Sequence, residues 1–396
     1  MPPSIPYKRL AGFYGLWFGA LGALLPYWGL YLQHQGYDAA VIGVVFAILL
    51  GTKMVAPNVW GWLADRSGRR VPIIRLASVV AALTFLAVPY AGALLPLALL
   101  MGLYGFFSNA SLPQFEALTF NHLGEDMSRY GRVRLWGSVG FIISVASLGA
   151  LLDYSGVGVV PWWIMACLTA LCLLSFAIPE AGNGLSRSGG DQLWGLLRQR
   201  RIQCLLAVCF LVQFSHGAYY AFFSIYLADH GYDRALIGGL WALGVVAEIF
   251  VFALLPWLLA IAGLRTLMLI AMVGTTVRWL LLAAFPSLLS VLVVVQLLHL
   301  ASFGLYHAVA VSLIHRLFRG RLQGRGQALY SSVSFGAGGA AGALVSGLLW
   351  QALPHPTVFV TSAIAAALAW LVTWWGLDGP SQPTTSTRRR RVARAG

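Results

Sequence analysis

Charge is what this chain has least of. Only 10% of its 396 residues are Asp, Glu, Lys or Arg, where a soluble domain carries about 25%. A further 59% are hydrophobic, with a mean hydropathy of +0.78. Water is therefore not its main solvent. Long polar stretches are scarce too, and the gaps between apolar runs from Leu10 to Gly376 leave no room for a sizeable extramembrane domain. With no paired carboxylates in an outer loop, that argues against a membrane enzyme such as a lipid-linked transferase. Cysteine is rare as well: Cys167, Cys172, Cys204 and Cys209 lie in apolar runs at spacings that match no metal or redox motif. They read as small packing residues, and neither a cofactor nor a metal is expected. No cleavable leader is evident, because the stretch Leu10 to Leu32 is too long for a signal segment and no small-residue cleavage site follows it.

What the sequence does have is a series of apolar runs, each able to cross a ~30 Å hydrocarbon core with about 20 residues. They predict twelve spans, near 10–32, 40–63, 71–91, 94–118, 133–153, 160–178, 202–227, 235–259, 265–285, 288–313, 326–350 and 356–376. The formal charge of +14 is distributed by topology. Lys8 and Arg9 precede span 1, and arginines crowd the loops after spans 2, 4, 6, 10 and 12, whereas the opposite loops hold Arg234 beside Asp38, Asp153, Asp229 and Asp233. This positive-inside pattern places both termini in the cytoplasm. Membrane lipid is the expected partner of the basic loops, and nucleic acid is not.

The chain repeats itself. YLQHQGYDAAVIG at Tyr31–Gly43 returns as YLADHGYDRALIG at Tyr226–Gly238, and LWGSVGF at Leu135–Phe141 is echoed by LYSSVSF at Leu329–Phe335. Parallel repeats of this kind build transporters. The expected division is a six-helix half over 1–180, a cytoplasmic linker over 181–201, a second six-helix half over 202–378 and a disordered basic tail over 379–396. The fold class is all-α integral membrane, with twelve transmembrane helices in two pseudo-symmetric halves.

Between spans 2 and 3 stands Gly61-Trp-Leu-Ala-Asp65-Arg66-Ser-Gly68-Arg69-Arg70. It resembles the major facilitator loop signature GxxxDRxGRR at every fixed position. Gly61 removes a side chain where helices approach, Gly68 permits a tight turn, and Asp65 can face a helix N-terminus while the arginines offer charge-assisted bonds. The resemblance implies that Asp65, Arg66, Arg69 and Arg70 act in gating. The corresponding stretch of the second half, Pro256 to Arg265, lacks the pattern.

Ionisable residues within spans cost about 2.5–3.5 kcal/mol each on insertion scales and therefore tend to face a cavity or a partner. Lys53 and Glu248 are separated by 195 residues, the repeat offset, which predicts equivalent depth and an ion pair between halves. Glu116 shares a face with Asn109 and Pro113 and either partners an arginine of the loop after span 2 or serves transport. Arg278 lies deep in span 9, positioned to neutralise Glu248 or a substrate carboxylate. His299, Phe303 and His307 recur at helical spacing on span 10, and His216 precedes Tyr219 and Tyr220 on span 7. Histidines can relay protons near neutral pH, although a hydrogen-bonded packing role is the commoner fate of an intramembrane histidine. No carboxylate or cysteine joins them at metal-ligand spacing. Trp17, Leu24, Trp28 and Tyr31 form a stripe on span 1, and Trp136 and Tyr330 are repeat mates. Ring-lined walls with a few polar groups suit a small aromatic or sugar solute, while Tyr31, Trp162 and Trp163 read as interfacial anchors.

With these residues assembled, the chain is similar to the 3-phenylpropionate permease branch of the major facilitator superfamily, itself near the lactose and nucleoside proton symporters. The likeness is carried by HGAYYAFFSIY from His216, GGLWALGVVAEIFVFAL from Gly238, VRW from Val277, VVVQLLH from Val293, His307 and YGRVRLWGSVGF from Tyr130. It implies a secondary transporter of alternating access that takes up a small aromatic carboxylate with protons, as a monomer in a bacterial inner membrane. Substrate contacts are expected from Trp28, Lys53, Asn109, Trp136, His216, Tyr220, Arg278 and Tyr330. Proton coupling is expected from Glu248, Glu116, His299 and His307. As in the lactose permease, a glutamate stands on span 8, an arginine on span 9 and a histidine on span 10, but span 10 carries no carboxylate. A symporter of sugars or nucleosides, or an exporter of apolar compounds, is the alternative.

Overall fold

A computed structural model describes residues 5–124, 126, 129–181 and 192–377. Twelve helices in it are long and apolar enough to cross a membrane. They are α1 Tyr7–His34, α2 Ala39–Ser67, α3 Val71–Tyr90, α4 Leu94–Leu123, α5 Tyr130–Ser155, α6 Val157–Phe176, α7 Arg200–Asp229, α8 Arg234–Ile261, α9 Leu264–Ala284, α10 Leu289–Leu317, α11 Gln323–Ala352 and α12 Pro356–Gly376. Several extend past the predicted spans, α4 by five residues, because hydropathy marks only the part in lipid while a helix continues into its polar ends. A short helix, Gln192–Leu197, precedes α7. Residues 182–191 of the predicted linker and all of the predicted tail lie outside the described residues.

The repeated segment is a helix-to-helix turn built twice. Gly36 and Gly231 each take φ of 84°, a left-handed conformation that costs glycine nothing. Two residues on, Asp38 and Asp233 cap α2 and α8 by accepting the amides of Val41 and Leu236 at 2.8 and 2.7 Å. Gly43 and Gly238 then stand one turn inside their helices, at the face of the bundle away from the termini.

Small residues let the helices approach closely, as membrane packing favours. Within the first six helices, a Cβ on Gly22 would meet the carbonyl oxygen of Phe141 at 2.7 Å; Gly217 of α7 makes the matching approach to Gly342 of α11. Between the two sets of six, Gly43 abuts Gly347 of α11, and Gly238 abuts Val145 of α5. Gly29 of α1 meets the backbone of Ala221 on α7. Tyr27 wedges into this seam, its hydroxyl donating to Val145 O at 2.7 Å beside Gly149 and Gly238. The seam continues at middle depth, where Asn58 Nδ2 donates to Ser332 Oγ at 3.2 Å and Ser332 to Met54 O at 3.3 Å.

Two stretches, apart from short 3-10 turns at the helix ends, are wound more loosely than an α-helix. Leu300–Leu305 in α10 and Ser332–Gly338 in α11 are π-helical, a form concentrated at functional sites.

Candidate functional site

Lys53 sits half-buried at the middle of α2. A cavity beside it is lined by Trp17, Leu21, Leu24 and Leu25 of α1, Leu49 and Leu50 of α2, and Tyr104, Ser108 and Asn109 of α4. Asn109 Nδ2 donates to Thr52 Oγ1 at 2.8 Å, which fixes the amide against α2. The Lys53 ammonium stands 5.7 Å from the centroid of the Phe335 ring on α11. No carboxylate among the described residues pairs with it. An apolar, ring-bearing wall with an amide and an unneutralised cation results.

Toward the end of the bundle that carries the N-terminus, Arg134 of α5 lies 3.9 Å from the Glu116 carboxylate of α4. Its guanidinium covers the Phe18 ring at 4.0 Å. Gly137 makes this posture possible, since a Cβ there would meet Arg134 Nη1 at 2.6 Å and Phe18 Cδ2 at 2.7 Å. Arg134 is also close enough to interact electrostatically with Glu248 and His307 of the second half. In the sequence Arg134 reads as one of the loop arginines after span 4; its place one turn inside α5, in YGRVRLW, is the signal that marks it as a residue of the helix.

In the second half, Glu248 of α8 has a half-buried side chain whose oxygen lies 3.9 Å from His299 Nε2. Gly304 leaves it room, because a Cβ there would meet Glu248 Cγ at 3.2 Å. His299, Phe303 and His307 stack along the π segment of α10, with rings 11° apart and centroids 5.4 and 5.8 Å apart. The ladder ends where His307 Nδ1 meets the Tyr330 hydroxyl of α11 at 2.8 Å. His216 is fully buried, its Nδ1 2.8 Å from Val212 O.

Several expectations are corrected. Lys53 and Glu248 do not form an ion pair: the first faces Phe335 of α11 and the second His299 of α10, so equal spacing in the repeat does not give them a common neighbour. Glu116 partners Arg134 of α5, not an arginine of the loop after α2. Trp28 and Tyr31 are buried against each other, 4.8 Å between centroids, so Trp28 does not reach the cavity and Tyr31 is no interfacial anchor. Trp163 likewise turns inward to donate to Ser144 Oγ at 2.8 Å, whereas Trp162 is exposed. Trp136 and Tyr330 are not equivalent in environment. Trp136 is exposed and donates to the Tyr7 hydroxyl at 3.0 Å, while Tyr330 is fully enclosed. Arg278 is buried within the second half, away from the cavity. The structure thus brings Lys53 and Asn109 together, and separately Glu248, His299, His307 and Tyr330. Tyr220 is half-buried beside His216, 5.9 Å between centroids.

The loop signature holds its own turn. Gly68 caps α2 with φ of 68°, and Asp65 pairs with Arg70 at 3.1 Å. Arg70 also bonds the Gln114 side chain of α4. Asp65 does not face a helix N-terminus; that position at α3 is taken by Glu180, which accepts the amides of Arg70 and Val71 at 3.2 and 3.0 Å. Gly61 is not in close packing, since its nearest Cβ contact would be Gln114 Nε2 at 3.9 Å. Arg66 covers Trp62 at 5.6 Å, and the Arg69 amide donates to Ser67 Oγ at 3.3 Å.

Twelve helices long and apolar enough to cross a membrane, with a cavity beside Lys53, fit a multi-pass transporter, and the family match and the named relatives, which are transporters and not enzymes, show that it is one of the major facilitator fold. The family described as the MFS_1 like family matches residues 7–361, and the chain belongs to it. It is 33% identical over 90% of its length to a protein of Escherichia coli (strain K12) named probable 3-phenylpropionic acid transporter, covering 95% of that relative. It is 29% identical to a maltose permease of Geobacillus stearothermophilus, covering 91% of this chain and 92% of that one. Among solved structures it is similar to the nucleoside transporter NupG, with a TM-score of 0.82 at 16% identity over 94% of this chain and 99% of that one. The inward open xylose transporter XylE from E. coli gives a TM-score of 0.75 at 12% identity, covering 95% of this chain and 97% of the other.

Proposed function

We propose that the protein takes up a small aromatic carboxylate such as 3-phenylpropionate together with protons, across a bacterial inner membrane, with both termini in the cytoplasm. The observation that carries this reading is Lys53, a cation without a carboxylate partner among the described residues, beside an apolar cavity with Trp17, Tyr104 and Asn109. An unpaired charge at that depth is unfavourable until a counter-charge arrives, and a carboxylate on a ring fits both features. The name of the E. coli relative supports the same solute class.

Uptake proceeds by alternating access. The small-residue seam at Gly43–Gly347 and Gly238–Val145 is the closed gate of the present state. In the other state it parts while the opposite ends of the bundle meet, and Asp65, Arg66, Arg69 and Arg70 take part in that closure. Glu248 is the proton carrier, with His299 and His307 leading toward Tyr330, and Glu116 holds Arg134 in reserve. Trp28 and Trp136 support the walls without touching solute. The protein works as a monomer.

Uptake of labelled 3-phenylpropionate into proteoliposomes tests the reading. Accumulation above equilibrium is expected with an imposed pH gradient, and equilibration alone without one. A neutral sugar transported in its place, with no uptake of the acid, refutes the proposal.

A further inference from the structure

Arg278 of α9 is wholly buried in the second six-helix set. Its Nε donates to Val295 O at 3.0 Å, Nη1 to Ser302 Oγ at 2.8 Å and Nη2 to Gln296 Oε1 at 3.4 Å. The guanidinium carbon lies 4.4 and 4.3 Å from the ring centroids of Tyr219 and Trp279. Every one of these partners is neutral. No carboxylate among the described residues forms an ion pair with Arg278, and Glu248 reaches His299 instead.

A guanidinium carries five N–H donors; besides the three bonds named, Arg278 also meets the Tyr219 hydroxyl oxygen, which leaves one. Beside it, two buried nitrogens lack any hydrogen-bond partner: Gln296 Nε2 and His299 Nδ1. Gln296 and His299 are three residues apart on α10 and therefore share one face of it. Gln296 is fixed by Tyr219, whose hydroxyl donates to its Oε1 at 3.1 Å. That bond, with the one from Arg278, leaves the amide NH2 to point elsewhere. His216 Nε2 is a third orphan; because Nδ1 lies against the Val212 carbonyl and must donate to it, Nε2 is the acceptor end of a neutral ring.

Unsatisfied buried donors gathered around an unneutralised cation are complementary to one kind of species. We infer that Arg278 and Gln296 Nε2, joined by His299 Nδ1 when Glu248 is protonated and that nitrogen carries the ring's proton, hold a small monovalent anion, of which chloride is the abundant example, inside the second six-helix set. One positive charge calls for one negative charge. None of Arg278, Gln296 and His299 lines the Lys53 cavity, so the inference does not depend on the identity of the transported solute.

Thermal unfolding of the full-length protein in detergent tests this at constant ionic strength, with gluconate replaced stepwise by chloride or bromide. A saturable rise in Tm of about 2–4 °C is expected for both halides in the wild type. Arg278→Gln and Gln296→Leu are expected to abolish it. A second arm adds 3-phenylpropionate in gluconate alone, to separate an inorganic anion from a solute carboxylate. Equal melting in chloride and gluconate, a halide effect that persists in Gln296→Leu, or a rise given by the aromatic acid and not by halide would each overturn the inference. Should Arg278→Gln fail to fold, Gln296→Leu decides alone, because it keeps the arginine and removes the orphaned donor, together with the amide oxygen that Tyr219 and Arg278 bond.

Discussion

The Asp153 carboxylate at the end of α5 accepts the backbone amides of Arg234 and Ala235, each at 2.9 Å, and so closes the N-terminus of α8 across the two halves. Asp233 caps the same helix from within its own half. The first turn of α8 therefore depends on both sets of helices, and the proposed opening of this face would give up one of its two acidic partners.

An anion at a helix N-terminus contributes about 0.3–1 kcal/mol when exposed, as Asp153 is. Asp153→Ala should shift the balance of states toward opening of this face by up to about fivefold. Alkylation of a cysteine introduced at Leu25, probed from the side away from the termini, measures the shift. Asp153→Asn, which retains one acceptor, should fall between. Unchanged labelling in the alanine variant contradicts a latching role.

Gly43 and Gly238 are held to glycine by contact. A Cβ on Gly43 would meet Ala343 O and Gly347 Cα at 2.8 Å, and one on Gly238 would meet Val145 O at 2.6 Å. Gly43→Leu and Gly238→Leu should each fold, yet keep this face apart and lower the transport rate more than tenfold. Solute binding measured by isothermal titration should survive. Wild-type turnover in either variant refutes the seam as a gate.

Lys53 offers the counter-charge to a carboxylate. A hydrogen bond to a charged group contributes about 1.5–3 kcal/mol, so Lys53→Gln should weaken binding of 3-phenylpropionate about tenfold or more. Lys53→Arg should recover part of it, and the neutral amide of the same acid should bind both proteins alike. Equal loss for acid and amide would mean that Lys53 supports the cavity by packing.

Glu248→Gln removes the proposed proton carrier while keeping shape. It should retain exchange of labelled for unlabelled solute across proteoliposomes and lose accumulation driven by a pH gradient. Gradient-driven accumulation at wild-type level assigns coupling to another group, with Glu116 next in line.

The bundle was legible because its signals are local. Hydropathy runs mark spans, and the recurrence of Gly36, Tyr37 and Asp38 at Gly231, Tyr232 and Asp233 marks two copies of one turn, whose glycine φ and aspartate cap the structure displays. The site was legible only in part. Lys53 and Asn109 were identified as charged or polar residues within apolar helices, and they do line the cavity. Pairing was not legible: equal spacing from the repeat puts Lys53 and Glu248 at corresponding positions, but which neighbour each faces depends on helix rotation and on contacts between chain-distant helices. Arg134 looked like a topology residue because its helix start was placed only one residue before it. Asp153 looked like loop charge because its partners are backbone amides, which no side-chain pattern encodes.

The two π segments, Leu300–Leu305 and Ser332–Gly338, fall on neighbouring helices of the second half, and the described residues of the first half contain none. Such a segment bonds i to i+5, so reverting it to the i+4 ladder turns everything beyond it about the helix axis. His307 on one helix and Phe335 on the other would thereby swing relative to Lys53 without either helix bending. The pair of six-helix units is thus mechanically unequal: one can behave as a stiff frame, and the other has a built-in swivel at the depth of the Lys53 cavity.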